Sequence, residues 1–346
     1  MAKYVEAAGA ASNYALHTRA GAHAMMLDLD TALMAVGLDQ IPVSGEYNIA
    51  GADTQMPDPA GTTGVFSPWR HYAFSDSDQA AYPITLSFAF MSQMVFVSNA
   101  PFSSVPCVRI SQGIDASGNP LGSYLESIPI GRGEGSNSGD TRRYQANASN
   151  GSFFRYTGDS LTIITSQGGT GIPINLTNIC SAHLIHIERR RSASTNDVQS
   201  GFCGLFQPPY CGASTTVFPG YPNTGQGISN VTANLMPMYF FDMGATPPTV
   251  RNAHARPGGP ISDTNASTPV VTPVYYRDSG GRLNTLKRLF FAPKSYFSNR
   301  VPVTLDFTGA EQLYLPIWDD YGDTFVGNTS AMSPSTALAA LFEWEP

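Results

Sequence analysis

The chain has 346 residues, 42 % of them hydrophobic but only 13 % charged, about half the usual charged share. Its net charge is −7, and the lone basic run Arg189-Arg190-Arg191 excludes the broad electrostatic footprint of a nucleic-acid binder. No apolar run approaches the ~18 residues that cross a bilayer as a helix, and "MAKYVEAAGA" lacks the apolar core of a secretory signal.

The first element in chain order is a helix over 13–38, with Ser12 or Asn13 as its cap and Gly37 as its end. Leu16, Met25, Met26, Leu29, Leu33 and Val36 recur on it at three- and four-residue steps. That stripe has two readings: it covers the chain's own sheet, or it docks on neighbouring copies as an interface. From Ile41 to Thr63 the chain is turn chemistry.

Strand signals then hold to the end. "ITLSFAFMSQMVFV" and "VPCVRISQGI" come first, and "GIDASGNPLGSYLE" supplies a turn. Further strands are expected over 152–157, 160–165, 181–188, 201–206, 236–242, 270–277, 286–291, 301–307 and 312–318. With 33 Gly and 26 Pro between them, the expected fold is mainly β, an antiparallel β-sandwich of one or two β units carrying one long N-terminal helix. The expected organisation is a helical oligomerisation or anchoring segment over 1–40 and a β-sandwich domain over 41–195. Residues 196–346 form a second β-rich domain or continue the same sandwich. The polar, Pro/Gly-rich tract 244–269 is a linker or a surface loop.

Chemistry-bearing patterns are sparse. His183 and His186 lie three apart on an expected strand, so their rings fall on opposite faces and do not chelate one metal. "RDSGGR" (277–282) reads as a tight turn between strands, and "IGRGEGSNSGD" (130–140) as a loop without the Lys-Ser/Thr ending of a phosphate cradle. Asp319, Asp320 and Asp323 form the densest acidic group, a weak candidate for a structural Ca2+; no other cofactor is expected. Asp115, Glu126, Glu134, Asp140 and Asp159 are acids from which a glycosidase pair could be drawn, with nothing to select among them. Cys203 and Cys211 flank a loop that a disulfide could close; without an export signal the cysteines are expected as reduced, partly buried thiols. The Arg189-Arg190-Arg191 run is expected to be a solvated loop or strand end.

The pattern "W-R-x-Y-A-F-S-D-x-D-Q-A-A-Y-P-I-T-L-S-F", Trp69 to Phe88, resembles a segment of structural proteins of tailed bacteriophages. The turn "GIDASGNPLG", Gly113 to Gly122, and "HLIHIERRRSASTND" (183–197) resemble later parts of the same proteins. The resemblance covers mainly 65–205. It departs where "MSQMVFVSNAPFSSVP" replaces the Gly/Thr-rich tract usual after the apolar strand.

What the resemblance implies is a non-enzymatic virion protein, assembled in the host bacterial cytoplasm in multiple copies on the tail, baseplate or fibre apparatus. Its partners would be other copies of itself, other virion proteins, and a host surface glycan or pilus met by loops at 44–64, 130–152, 207–230 and 244–269. Neither nucleic acid nor membrane insertion is expected. The alternatives are a capsid decoration or head-fibre protein, and a glycan-active depolymerase or carbohydrate-binding protein.

Overall fold

A computed structural model describes residues 3–6, 13–14, 18–59, 61–62, 64–92, 104–129, 144–145, 153–156, 158–165, 183–192, 194–207, 238–244, 249–253, 272–277, 283–293, 297, 301–306, 311–317 and 338–343. All structural statements concern these residues. They form a mainly β protein of antiparallel sheets with one α-helix.

Strands β1 (Lys3–Glu6) and β2 (Asn13–Tyr14) precede the helix α1 (Arg19–Val36). The helix starts later than the sequence suggests. Thr18, not Ser12 or Asn13, is the cap: its Oγ1 accepts from the Gly21 N–H at 3.0 Å, satisfying one orphan donor of the first turn. Gly37 ends it at φ 103, in the left-handed region where a side chain would be strained, and its N–H reaches back to Leu33 and Met34.

Strands β3 (Asp39–Gln40), β4 (Arg70–Ala73), β5 (Thr85–Met91), β6 (Val105–Ser111) and β7 (Tyr124–Pro129) form a five-stranded sheet in chain order. A single-turn 3-10 helix, Asp53–Gln55, lies between β3 and β4. All seven residues of β5 are buried. A central strand covered on both faces loses the polar alternation of a half-exposed one.

Strand β8 (Tyr144–Gln145) pairs with β2. Strands β9 (Phe153–Tyr156), β10 (Ser160–Thr165), β11 (His183–Arg191), β12 (Val198–Gln207), β13 (Met238–Asp242) and β14 (Thr249–Ala253) form a second sheet in chain order, and β1 adds to its β9 edge. The last sheet runs β15-β16-β19-β18-β17, from β15 (Thr272–Arg277), β16 (Leu283–Pro293), β17 (Val303–Asp306), β18 (Glu311–Ile317) and β19 (Leu338–Glu343).

The expected division at 195/196 falls in the turn between β11 and β12, which pair antiparallel from Leu184–Gln207 to Arg191–Val198. One sheet runs through that point. Strand β14 likewise lies inside the tract expected to be a linker or loop.

One apolar cluster joins α1 to the five-stranded sheet β3–β7 and to the seven-stranded sheet. Met25, Met26, Leu29, Leu33 and Val36 meet Tyr72, Phe74, Leu86, Phe88, Ile110 and Leu125 of the five-stranded sheet and its connections. Leu161, Ile163, Ile185, Ile187, Phe202 and Phe241 join the same cluster from the seven-stranded sheet. The helix side chains named here are 0–4 % exposed within the single chain. Their face is therefore core, and the expectation that it forms an interface between copies is replaced by a packing role. Leu16 lies outside the described residues.

Candidate functional site

Strand β11 organises the polar interior. Side chains alternate along a strand, so Ile185, Ile187 and Arg189 share one face while His186, Glu188 and Arg190 share the other. Ile185 and Ile187 enter the apolar cluster, and Arg189 continues their row at 2 % exposure. A guanidinium there must be fully hydrogen-bonded. Its Nε and Nη2 donate to the two carboxylate oxygens of Asp76, Nη1 donates to the Tyr82 carbonyl, and Nη2 also reaches Gln79 Oε1 at 3.0 Å. The same group lies 5.4 Å from the Phe74 ring centroid.

These partners belong to the connection between β4 and β5. Gln79 closes that bend by donating to the Ile84 carbonyl (3.2 Å) and accepting from the Ile84 N–H (3.0 Å). Arg189 therefore fastens the β4–β5 hinge of the five-stranded sheet to the seven-stranded sheet.

On the opposite face, Thr162 Oγ1 and His186 Nδ1 are 2.7 Å apart, and His186 Nε2 lies 2.8 Å from Glu188 Oε1. The register places Thr162 directly across from His186. Hydroxyl, imidazole and carboxylate stand in the order of a nucleophile, its base and an orienting acid. All three are buried, at 1, 0 and 5 % exposure, and the chain of contacts pairs their polar atoms with one another.

Arg190 sits two residues on, with Nη1 donating to Gln199 Oε1 at 2.9 Å and Nε 3.1 Å from Asp242 Oδ1. That second contact is a charge pairing rather than an aligned hydrogen bond, and Asp242 Oδ2 has no hydrogen-bond partner. Arg191 completes the run, its Nη2 3.2 Å from Asp159 and its Nη1 donating to the Asn196 carbonyl at 3.1 Å. The expectation of a solvated basic run is overturned: three consecutive arginines each meet a different aspartate.

No family model, curated protein or solved structure matches the chain.

A second polar system fixes the helix. Asp30 Oδ1 accepts from Arg70 Nε at 2.5 Å and from the Tyr72 hydroxyl at 2.6 Å. Arg70 also approaches Glu46 at 3.6 Å, and Glu46 accepts from Gln40 Nε2 through both oxygens, at 3.1 and 2.8 Å. Burial, reinforced by the bond to Asp30, pushes the Tyr72 phenol well above its ordinary range. Burial, with Asp53 nearby, raises Tyr47 to about 12.

On the other face of the five-stranded sheet, His71 Nδ1 lies 2.7 Å from Ser87 Oγ. Burial, then the charges of Arg109 and Arg70, lower that imidazole to about 4, so it is neutral near pH 7. Arg109 stacks 4.1 Å over Trp69, which stacks in turn on Phe66 at 5.2 Å. Gly118, at φ 78, leaves room for His71: a Cβ there would meet Nε2 at 2.7 Å.

The remaining sequence candidates are dispersed. Asp115 is an exposed turn residue, accepting from the Ser117 and Asn119 N–H groups at 2.8 and 2.9 Å and from Asn119 Nδ2 at 3.0 Å. Asn119 foremost holds its carboxyl below the usual range. Asp159 is the partner of Arg191, and Glu126 lies on β7. His183 stands at the register position opposite Thr165. Cys107 and Cys203 are buried thiols, Cys107 pushed upward by burial.

Glu134, Asp140, Cys180, Cys211, the acidic group Asp319, Asp320 and Asp323, and the loops 130–140 and 207–230 beyond Gln207 lie outside the described residues. The same holds for 278–282, although the flanking β15 and β16 pair with Arg277 opposite Leu283. The sequence reading missed three ion pairs: Arg70 with Asp30, Arg189 with Asp76, and Arg190 with Asp242. One signal was present for Arg189: period two places it with Ile185 and Ile187.

Proposed function

We propose that this chain is a non-enzymatic structural protein of a tailed-phage virion, a multi-copy component of the tail, baseplate or fibre apparatus. The observation that supports this reading is where the residues of the resembling segment do their work. In Trp69–Phe88, Arg70 and Tyr72 tie the first sheet to α1 through Asp30, and Asp76 and Gln79 tie it to β11 through Arg189. Their role is to hold a body together, as expected of a building block. The apolar cluster shared by the β3–β7 sheet and the seven-stranded sheet supports a β-sandwich as its architecture. Copies of the chain, other virion proteins and a host-surface glycan or pilus are the proposed partners.

The test has two parts. Light scattering of the intact chain should give a mass of several copies. Quantitative peptide analysis of density-purified particles from the source lysate should find the chain at a fixed copy number per particle. A chain confined to the soluble fraction overturns the virion assignment, and a monomer at every concentration overturns the multi-copy reading.

A further inference from the structure

The outward face of α1 is as uncharged as its buried one. Ala20, Ala24, Leu27, Thr31 and Met34 follow one another at alternating four- and three-residue steps; Leu27 is half-buried and the other four are exposed. Met34 alone is 44 % exposed. A surface helix ordinarily turns charge to water, and one with uncharged stripes on both its inner and outer faces is normally covered. The helix's charged groups sit elsewhere: Asp30 is engaged with Arg70 and Tyr72, and Asp28 stands at the stripe's margin.

The ends of the helix say what covers it. The first turn holds no acid and the last turn no base, so neither end of the dipole is compensated within the helix. The charges present have the wrong sign for their own ends. Arg19, its side chain 42 % exposed and only loosely paired with Asp58 at 3.8 Å, sits at the positive end, and exposed Asp39 follows the negative end. A second helix lying antiparallel corrects both faults, and the segment best suited to it is this same helix. With Leu27 on the two-fold axis, Ala20 of one copy faces Met34 of the other, Ala24 faces Thr31, and Arg19 approaches the partner's C-terminal end and Asp39. The pattern is self-complementary, as an isologous contact requires.

We propose that two copies of this chain pack antiparallel through the outer face of α1. The inference rests on the multi-copy reading above and names the surface that serves it. The face is about 21 Å long and about 10 Å wide, well below the roughly 800 Å2 per partner of a standard interface. The pair therefore forms weakly in dilute solution and fully where an assembly raises the local concentration.

Oxidative cross-linking of the intact chain tests this, with wild type giving the background. Leu27→Cys should link to itself, while Ala20→Cys and Met34→Cys should link when mixed and not alone. Ala24→Cys mixed with Thr31→Cys gives a second check on two exposed sites. Equal self-linking at 20, 27 and 34 would overturn the antiparallel arrangement. No linking above background, in a chain that scatters as an assembly, would overturn the helix contact and leave the multi-copy reading intact. No linking in a strict monomer would remove both.

Discussion

Replacing Arg189 with Met retains the length of the side chain and its contact with Phe74 but removes four donated bonds: two to Asp76, one to Tyr82 and one to Gln79. Breaking one side of a buried ion pair costs about 3–5 kcal/mol, chiefly because the remaining charge is stranded. Asp76 is 14 % exposed and keeps part of its hydration, so the lower end applies, about 3 kcal/mol. At about 2–4 °C per kcal/mol for a large domain, Tm should fall by about 6–12 °C.

Asp76→Ala strands the guanidinium instead, and its side chain is only 1 % exposed. That variant should lose more, about 4–5 kcal/mol. The double variant Arg189→Met, Asp76→Leu should recover much of the loss, since no charge remains unpaired. Urea unfolding followed by tryptophan fluorescence, with a thermal scan, reads all three. A loss below about 1 kcal/mol in Arg189→Met, or two single losses that simply add in the double variant, would refute the staple.

Three further outcomes are expected. Gly204→Ala should destabilise by about 4 kcal/mol or more, or yield insoluble chain, because its Cβ would lie 1.9 Å from the His186 carbonyl oxygen between paired strands; normal thermal stability would refute this. Thr162→Val should cost about 1–3 kcal/mol by leaving the buried His186 Nδ1 unpaired, while Thr162→Ser retains the contact; equal stability of both variants in urea would refute it. His71 accepts its proton at about 4 in the folded chain, against about 6.5 when unfolded. Its contribution is thus present above about pH 6.5 and lost, up to roughly 3 kcal/mol, as pH falls towards 4, because the unfolded chain takes the proton first. An NMR titration of the imidazole with its midpoint above about 6 would refute this.

The parts of the fold legible in the sequence are those written locally. The strand 160–165 appears with its expected bounds because "SLTIIT" is a short β-branched run between turns, with the Gly158-Asp159 bend before it. Helix α1 is legible through its buried period and Gly37, but its start is displaced because Leu16 extends the apolar pattern beyond the capping Thr18. Strand β4 is four residues without clear alternation, and β14 sits in Pro/Gly-rich sequence, so neither carries a strand signal of its own. The arginine run misleads for a different reason. Three adjacent charges suggest water, and their aspartates, at 76, 159 and 242, are brought to them only by the sheets. Likewise Thr162 meets His186 through strand register, which no linear spacing encodes.

The hinge at Asp76 and its arginine are separated by 113 positions along the chain. At roughly 5–20 residues per second, the ribosome delivers Arg189 about 6–23 s after Asp76. During that interval the five-stranded meander can complete itself as far as Pro129, while the Asp76 carboxylate remains hydrated and the bend is held by Gln79 and by its own backbone hydrogen bonds. Commitment of the β3–β7 sheet and the seven-stranded sheet to each other is therefore a late event in synthesis, triggered by the emergence of β11 and closed by the contact of Gln112 with the Met243 carbonyl, 131 residues away. A translational pause between Pro129 and Arg189 would lengthen the life of a half-built body in which that sheet rests on α1 alone, before the residues of the seven-stranded sheet complete the apolar cluster.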